Sequence, residues 1–138
     1  MDEFEQTDMG WPVVPSGLRD ILVGIHERYG DLLPPVMVTE NGVAYDDVLV
    51  EAAEGTSDVA HVDDPKRVEY LRSHVAAVAA AMDAGVDVRG YFVWSLLDNF
   101  EWAEGYGWRF GLYRLDLKSL ARTPAKGSEE FRRLAPGR

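Results

Sequence analysis

Apolar positions recur in two rhythms along this chain. Leu18, Ile21, Leu22 and Ile25 follow one another at helical spacing, with Ser16 placed to cap the helix and Gly30 to stop it. The residues before it, 1–14, show no periodicity and are punctuated by Gly10, Pro12 and Pro15, so they read as a loop. After Pro34 and Pro35 comes "VMVT" (Val36–Thr39), a β-rich run that predicts a short buried strand. Residues 43–63 are polar and mixed and predict a long excursion. Asp64 then caps a second helix with Pro65 at its first position; Val68, Leu71, Val75, Val78 and Met82 mark its apolar face, and Gly85 closes it. "VRGYFVWSLL" (Val88–Leu97) is apolar without alternation, the pattern of a strand covered on both faces. An extended piece (Gly111–Leu117) and a short capped helix from Ser128 to about Leu134 complete the chain.

The order helix, strand, helix, strand, helix predicts an α/β fold built on parallel βαβ units. In such folds chemistry sits at the carboxyl ends of the strands. Two unusual stretches fall there: Glu40 in "TENG" after the first strand, and Glu101 and Trp102 after the second. Asn-Gly is also a common tight turn, and "TENG" alone is equally a plain strand end. The second stretch, "VWSLLDNFEWAEGYGWRFG" (Val93–Gly111), is harder to read as core, because Asp98, Asn99, Glu101 and Glu104 alternate with Trp94, Trp102 and Trp108. Carboxylates are costly to bury unpaired. A sugar suits the mixture: its CH face stacks on indole, and its hydroxyls donate to carboxylates and accept from indole N–H groups.

Composition narrows the choices. At 138 residues the chain has length enough for one domain (1–138) with a real core. The formal charge of −10 disfavours nucleic acid and anionic membrane surfaces as partners. Without cysteine there is no disulfide, no thiolate metal site and no cysteine nucleophile. No metal and no cofactor is called for. The acidic start "MDEFEQTDMG" does not read as a signal peptide, and no run reaches the ~18 apolar residues of a spanning helix, so a cytoplasmic protein is expected.

Together the two motifs resemble the family one glycoside hydrolases of β-glucosidase and β-galactosidase type. "VTENG" (Val38–Gly42) is similar to the family's nucleophile motif, and "GYFVWSLLDNFEWAEGYGWRFGLYRLD" (Gly90–Asp116) to its last barrel strand and the following loop. "MGWPVVPSGL", "DPKRVEYLRSHV" and "RTP" agree at the flanks. The resemblance implies the last two strand–helix units of a (β/α)₈ TIM barrel, plus a preceding helix. It implies hydrolysis of terminal β-O-glycosidic bonds by a retaining mechanism, with Glu40 as nucleophile. It also implies Trp94 as the platform under the sugar, Glu101 as acceptor of the 4- and 6-hydroxyls, Trp102 as donor to the 3-hydroxyl, and Phe110 as a wall near the 6-position. Glu104 and Trp108 either line the aglycone entrance or pack the loop. An acidic Glu101 favours a neutral gluco- or galacto-configured sugar over a 6-phosphorylated one.

A whole barrel takes about 250 residues. The family's acid/base glutamate lies in an "NEP" motif, and the two asparagines here, Asn41 and Asn99, are not followed by Glu-Pro. The chain is therefore expected to be inactive alone. Its expected partners are a β-glucoside or related small saccharide and either a complementary N-terminal barrel fragment or further copies of itself. A non-catalytic sugar-binding or interaction remnant is the alternative.

Overall fold

The computed structural model describes residues 4–55 and 57–135, so the first three residues of the expected N-terminal loop lie outside it. Helix α1 (Pro15–Tyr29) begins one residue before the expected cap. Val14 holds the N-cap position and Pro15 the first turn, where its fixed φ and missing N–H carry no penalty. Ser16 is thus inside the helix and not its cap. Gly30 ends the helix with φ 50°, as expected.

Strand β1 (Val36–Asn41) runs two residues past the expected end and takes in Glu40 and Asn41. The stretch 43–63 is not a bare excursion: β2 (Val48–Val50) and β3 (His61–Asp63) pair antiparallel within it, and Val43, Ala44 and Tyr45 are buried. Helix α2 (Pro65–Asp83) starts from Asp64 and Pro65 as expected, but Asp64 makes no capping bond to its own helix. The buried stripe of α2 is Arg67, Leu71, His74, Val78 and Ala81, at alternating steps of three and four. Met82 of the expected apolar face is 49% exposed.

Strand β4 (Val88–Val93) pairs with β1 in parallel, with Val36 opposite Val88, Val38 opposite Tyr91 and Asn41 opposite Val93. The apolar run was expected to continue as strand to Leu97, but it changes partner. Beyond Val93, Ser95 N–H donates to Phe110 O (3.2 Å), Leu112 N–H to Ser95 O (2.8 Å) and Tyr113 N–H to Leu96 O (3.0 Å). The backbone groups are satisfied by the returning chain instead of by β1. The extended piece holds β5 (Tyr113–Leu115), which pairs antiparallel with β6 (Arg122–Pro124). The last helix, α3 (Lys126–Leu134), begins two residues earlier than Ser128, whose Oγ donates to Ala125 O at 2.7 Å.

The α2 crossover between parallel β1 and β4 makes one βαβ unit, with α1 and α3 packed on either side of α2. Leu22, Val78, Ala81, Val86 and Val88 form the buried core, ringed by Leu18, Val36, Val38 and Tyr91. This core covers one face of the sheet. On the other, Met37 and Phe92 are 52% and 53% exposed, so among the described residues the strands are not covered on both faces as the unbroken apolar run had predicted.

Candidate active site

The site is built at the carboxyl ends of β1 and β4. Pairing of Asn41 with Val93 brings the two chain ends level, and Trp94 N–H donates to Asn41 O at 3.0 Å. Glu40 and Trp94 therefore leave the sheet side by side. The next residue must be glycine: a Cβ on Gly42 would lie 1.6 Å from Trp94 O. The Asn41 side chain is pinned from below. Tyr91 Oη donates to its Oδ1 at 2.5 Å, and Tyr70 shares a second side-chain hydrogen bond with it. Burial raises both phenols above their ordinary pKa, so they stay neutral at physiological pH.

The long loop after Trp94 is organised by Asp98. Its buried carboxylate accepts from Gly111 N–H (3.0 Å), Leu115 N–H (3.2 Å) and Arg109 Nη1 (2.9 Å). These bonds tie the start of the loop to its end. Further out, Glu101 N–H donates to Gly105 O (2.7 Å) and Glu104 N–H to Glu101 O (2.8 Å). This tight turn holds Trp102 at φ 41°, a left-handed conformation costly for a bulky residue. It leaves the Trp102 indole 84% exposed. Trp108 Nε1 donates to Glu104 at 3.0 Å, so these two pack the loop against itself.

Glu40, Trp94, Glu101, Trp102 and Phe110, all singled out from the sequence, line one open cleft of about 520 Å³. Phe110 forms its floor, only 4% exposed. Four lining residues were not foreseen: Trp11, Asn41, Gly42 and Tyr70. Asn41 and Gly42 belong to the "TENG" motif and could have been read there as more than a turn. Tyr70 carried no signal, since an aromatic on a helix reads as core; here it stacks on His74 with ring centroids 3.8 Å apart. Among the described residues no group of His, Asp and Glu side chains converges to hold a metal ion. The cleft offers flat indole faces beside free carboxylates, which suits a hydroxyl-rich ring with an apolar face. Asp98 and Glu104 are both hydrogen-bonded inside the loop.

The profile of Glycosyl hydrolase family 1 matches residues 1–135. A 1,4-beta-D-glucan glucohydrolase of Thermotoga neapolitana is 47% identical over 117 residues, 85% of this chain and 25% of its own length. A 6-phospho-beta-galactosidase of Lacticaseibacillus rhamnosus is 40% identical over 132 residues, 96% of this chain and 27% of its own. The crystal structure of the psychrophilic beta-glucosidase of Micrococcus antarcticus superposes with a TM-score of 0.87 at 44% identity, over 97% of this chain and 27% of that one. The chain thus spans about a quarter of the length of these relatives.

Proposed function

The chain belongs to glycosyl hydrolase family 1, and from that premise we propose that it is the C-terminal part of a retaining β-glycosidase barrel, supplying the nucleophile and the wall that grips the non-reducing sugar. One observation carries the reading: residues from two separate motifs converge on one cleft at the carboxyl ends of paired parallel strands. The sugar ring stacks on Trp94, its hydroxyls donate to Glu101, and the exposed Trp102 N–H donates to a third hydroxyl. A Glu40 oxygen attacks the anomeric carbon, and the bond to the aglycone oxygen breaks. That oxygen takes its proton from an acid roughly 5 Å from Glu40, which the rest of the barrel must provide. Water, giving a proton back to that same acid group, then attacks the anomeric carbon, breaks the glycosyl ester and returns Glu40 to its carboxylate. The Glu101 charge repels a 6-phosphate, so the proposed substrate is a neutral β-glucoside or β-galactoside.

The test is this chain fused behind the first three-quarters of a family 1 β-glucosidase, in place of the matching segment. Glu40→Ala in that protein is expected to lower turnover of an aryl β-glucoside by ~10⁴-fold or more, with partial rescue by azide. Retention of most of the activity would remove Glu40 from the nucleophile role.

A further inference from the structure

We infer that Arg67 is a positioning residue that locks the strand end carrying Glu40 to the loop carrying Glu101 and Trp102, so that nucleophile and sugar-binding groups share one fixed geometry. The inference rests on the roles proposed above for those residues.

Arg67 sits in the first turn of α2 with its side chain 2% exposed. All five of its N–H donors are used. Nε donates to Asp64 Oδ2 at 2.9 Å. Nη1 donates to Val43 O and, at 3.3 Å, to Phe110 O. Nη2 donates to Asp47 Oδ2 and, at 2.9 Å, to Arg109 O. The three carbonyls are the informative partners. Val43 follows Glu40 by three residues, two beyond the end of β1, and Arg109 and Phe110 close the loop that Trp94 opens. One planar guanidinium thus bridges the two segments that lead into the cleft.

Lysine could not substitute. An ammonium is a point donor with three protons, while these acceptors are spread over the edges of a rigid fork. Losing the fork leaves the Val43 and Arg109 carbonyls without this donor, and Phe110 O with Ser95 N–H alone. The fork is itself braced. Asp64, fully buried, accepts from Gly127 N–H at 2.9 Å as well as from Arg67. A Cβ on Gly127 would come 2.8 Å from Asp64 Oδ2 and 2.9 Å from Arg67 Cδ, so α3 closes down on the pair only because residue 127 is glycine.

A purely architectural arginine would affect stability and nothing else, and the experiment separates the two roles. In the completed barrel, Arg67→Lys is compared with Glu130→Gln. Glu130 is equally buried and ties α3 to α2 through Arg72 (2.8 and 3.2 Å), but touches neither loop. The readout is the rate at which an activated 2-deoxy-2-fluoroglucoside esterifies the nucleophile, with its binding constant measured separately and the labelled residue located by mass spectrometry. Displacing the loops by ~1 Å is expected to slow esterification about 100-fold in Arg67→Lys, against a change of under about fivefold in binding. Glu130→Gln, brought to the same folded fraction, is expected to stay within about twofold of the parent. Should Arg67→Lys not fold, Gly127→Ala, which displaces the same guanidinium without removing it, decides by the same comparison. Label on Glu40 with Arg67→Lys and Glu130→Gln equally fast overturns the positioning role alone. Label on another residue overturns the nucleophile assignment, and this inference with it.

Discussion

Gly42→Ala probes the tightest contact at the site. The added methyl would stand 1.6 Å from Trp94 O and 2.6 Å from Trp94 C, both backbone atoms that cannot rotate away. An ordinary carbon–oxygen approach is about 3.3 Å or more, so the two segments must part by roughly 1.7 Å. The 3.0 Å bond from Trp94 N–H to Asn41 O cannot survive that separation. Glu40 moves with one segment and Trp94 with the other, so the proposed nucleophile shifts against the proposed sugar platform. Since ~1 Å of misplacement costs about 100-fold, kcat/KM on an aryl β-glucoside is expected to fall at least 100-fold, or about 2.7 kcal/mol. Overpacking adds a stability loss of about 1–3 kcal/mol. Gly24→Ala is the control. It lies within α1, nothing stands within 4 Å of its added Cβ, and it is expected to gain about 0.5–1 kcal/mol with unchanged kinetics. Both variants are assayed in the completed barrel, with kinetics and melting temperature from the same preparation. A Gly42→Ala protein within about threefold of parent kcat/KM would show that the close approach does not set the geometry of the site.

Other outcomes follow from the same structure. Glu101→Gln is expected to reduce kcat/KM on a glucoside by about 10-fold or more, since charge-assisted bonds contribute about 1.5–3 kcal/mol each, and much less on a xyloside without the 6-hydroxymethyl group; equal losses on both would refute the hydroxyl contact. Asp47 is held by Arg67, yet burial outweighs that partner and pushes its carboxyl up to about 6 from an unfolded value of 3.8. Between those values the folded chain binds the extra proton, so this stabilisation is complete below about pH 4 and is lost as pH rises through about 6. A falling melting temperature across that window, flattened by Asp47→Asn, is expected, and a rise would contradict the assignment. Asp87, Asp116 and Glu130, held low by Arg89, Ser119 and Arg72, act with the opposite sign below that window. The 138-residue chain by itself is expected to self-associate and to leave aryl glucosides uncleaved, because Met37 and Phe92 present an open sheet face; a compact, active monomer on size exclusion would overturn this.

The motifs made five of the residues that line the cleft legible because each motif is contiguous in sequence and each ends a strand. Periodicity likewise located α1, β1, α2 and β4. What escaped notice was held by long-range polar contacts. Arg67 in "DPKRVEY" reads as one charge among several on a solvated helix start, and nothing local shows that carbonyls from two distant loops converge on it. The burial of Val43–Tyr45 escaped for the same reason, since Val43 O is held by Arg67 and Tyr45 lies against Glu5 and Lys66, outside the apolar cluster around Leu22. The three-residue strands β2, β3, β5 and β6 are too short to show a period. The end of β4 at Val93 was hidden because "WSLL" remains apolar while its hydrogen bonds pass to Phe110–Tyr113.

The two kinds of cohesion occupy different ends of the molecule. Leu22, Val78, Ala81, Val86 and Val88 gather where β4 begins, and Val36 joins them from the start of β1. At the other ends of the strands, where Glu40 and Trp94 emerge, cohesion passes to Arg67, Asp98 and Asn41, each satisfied by directional hydrogen bonds. Apolar packing is tolerant of shape and sets how firmly the strands are held. Directional bonds tolerate little displacement and set where the loops stand. Trimming the core, as in Leu22→Ala, should therefore cost about 2–5 kcal/mol of stability while the protein that still folds keeps its kinetics. Removing one such donor should cost catalysis out of proportion to stability. That division explains why a chain so rich in charge buries an arginine and two aspartates between the segments that line the cleft, where apolar side chains would have packed as well but could not have held two loops in register.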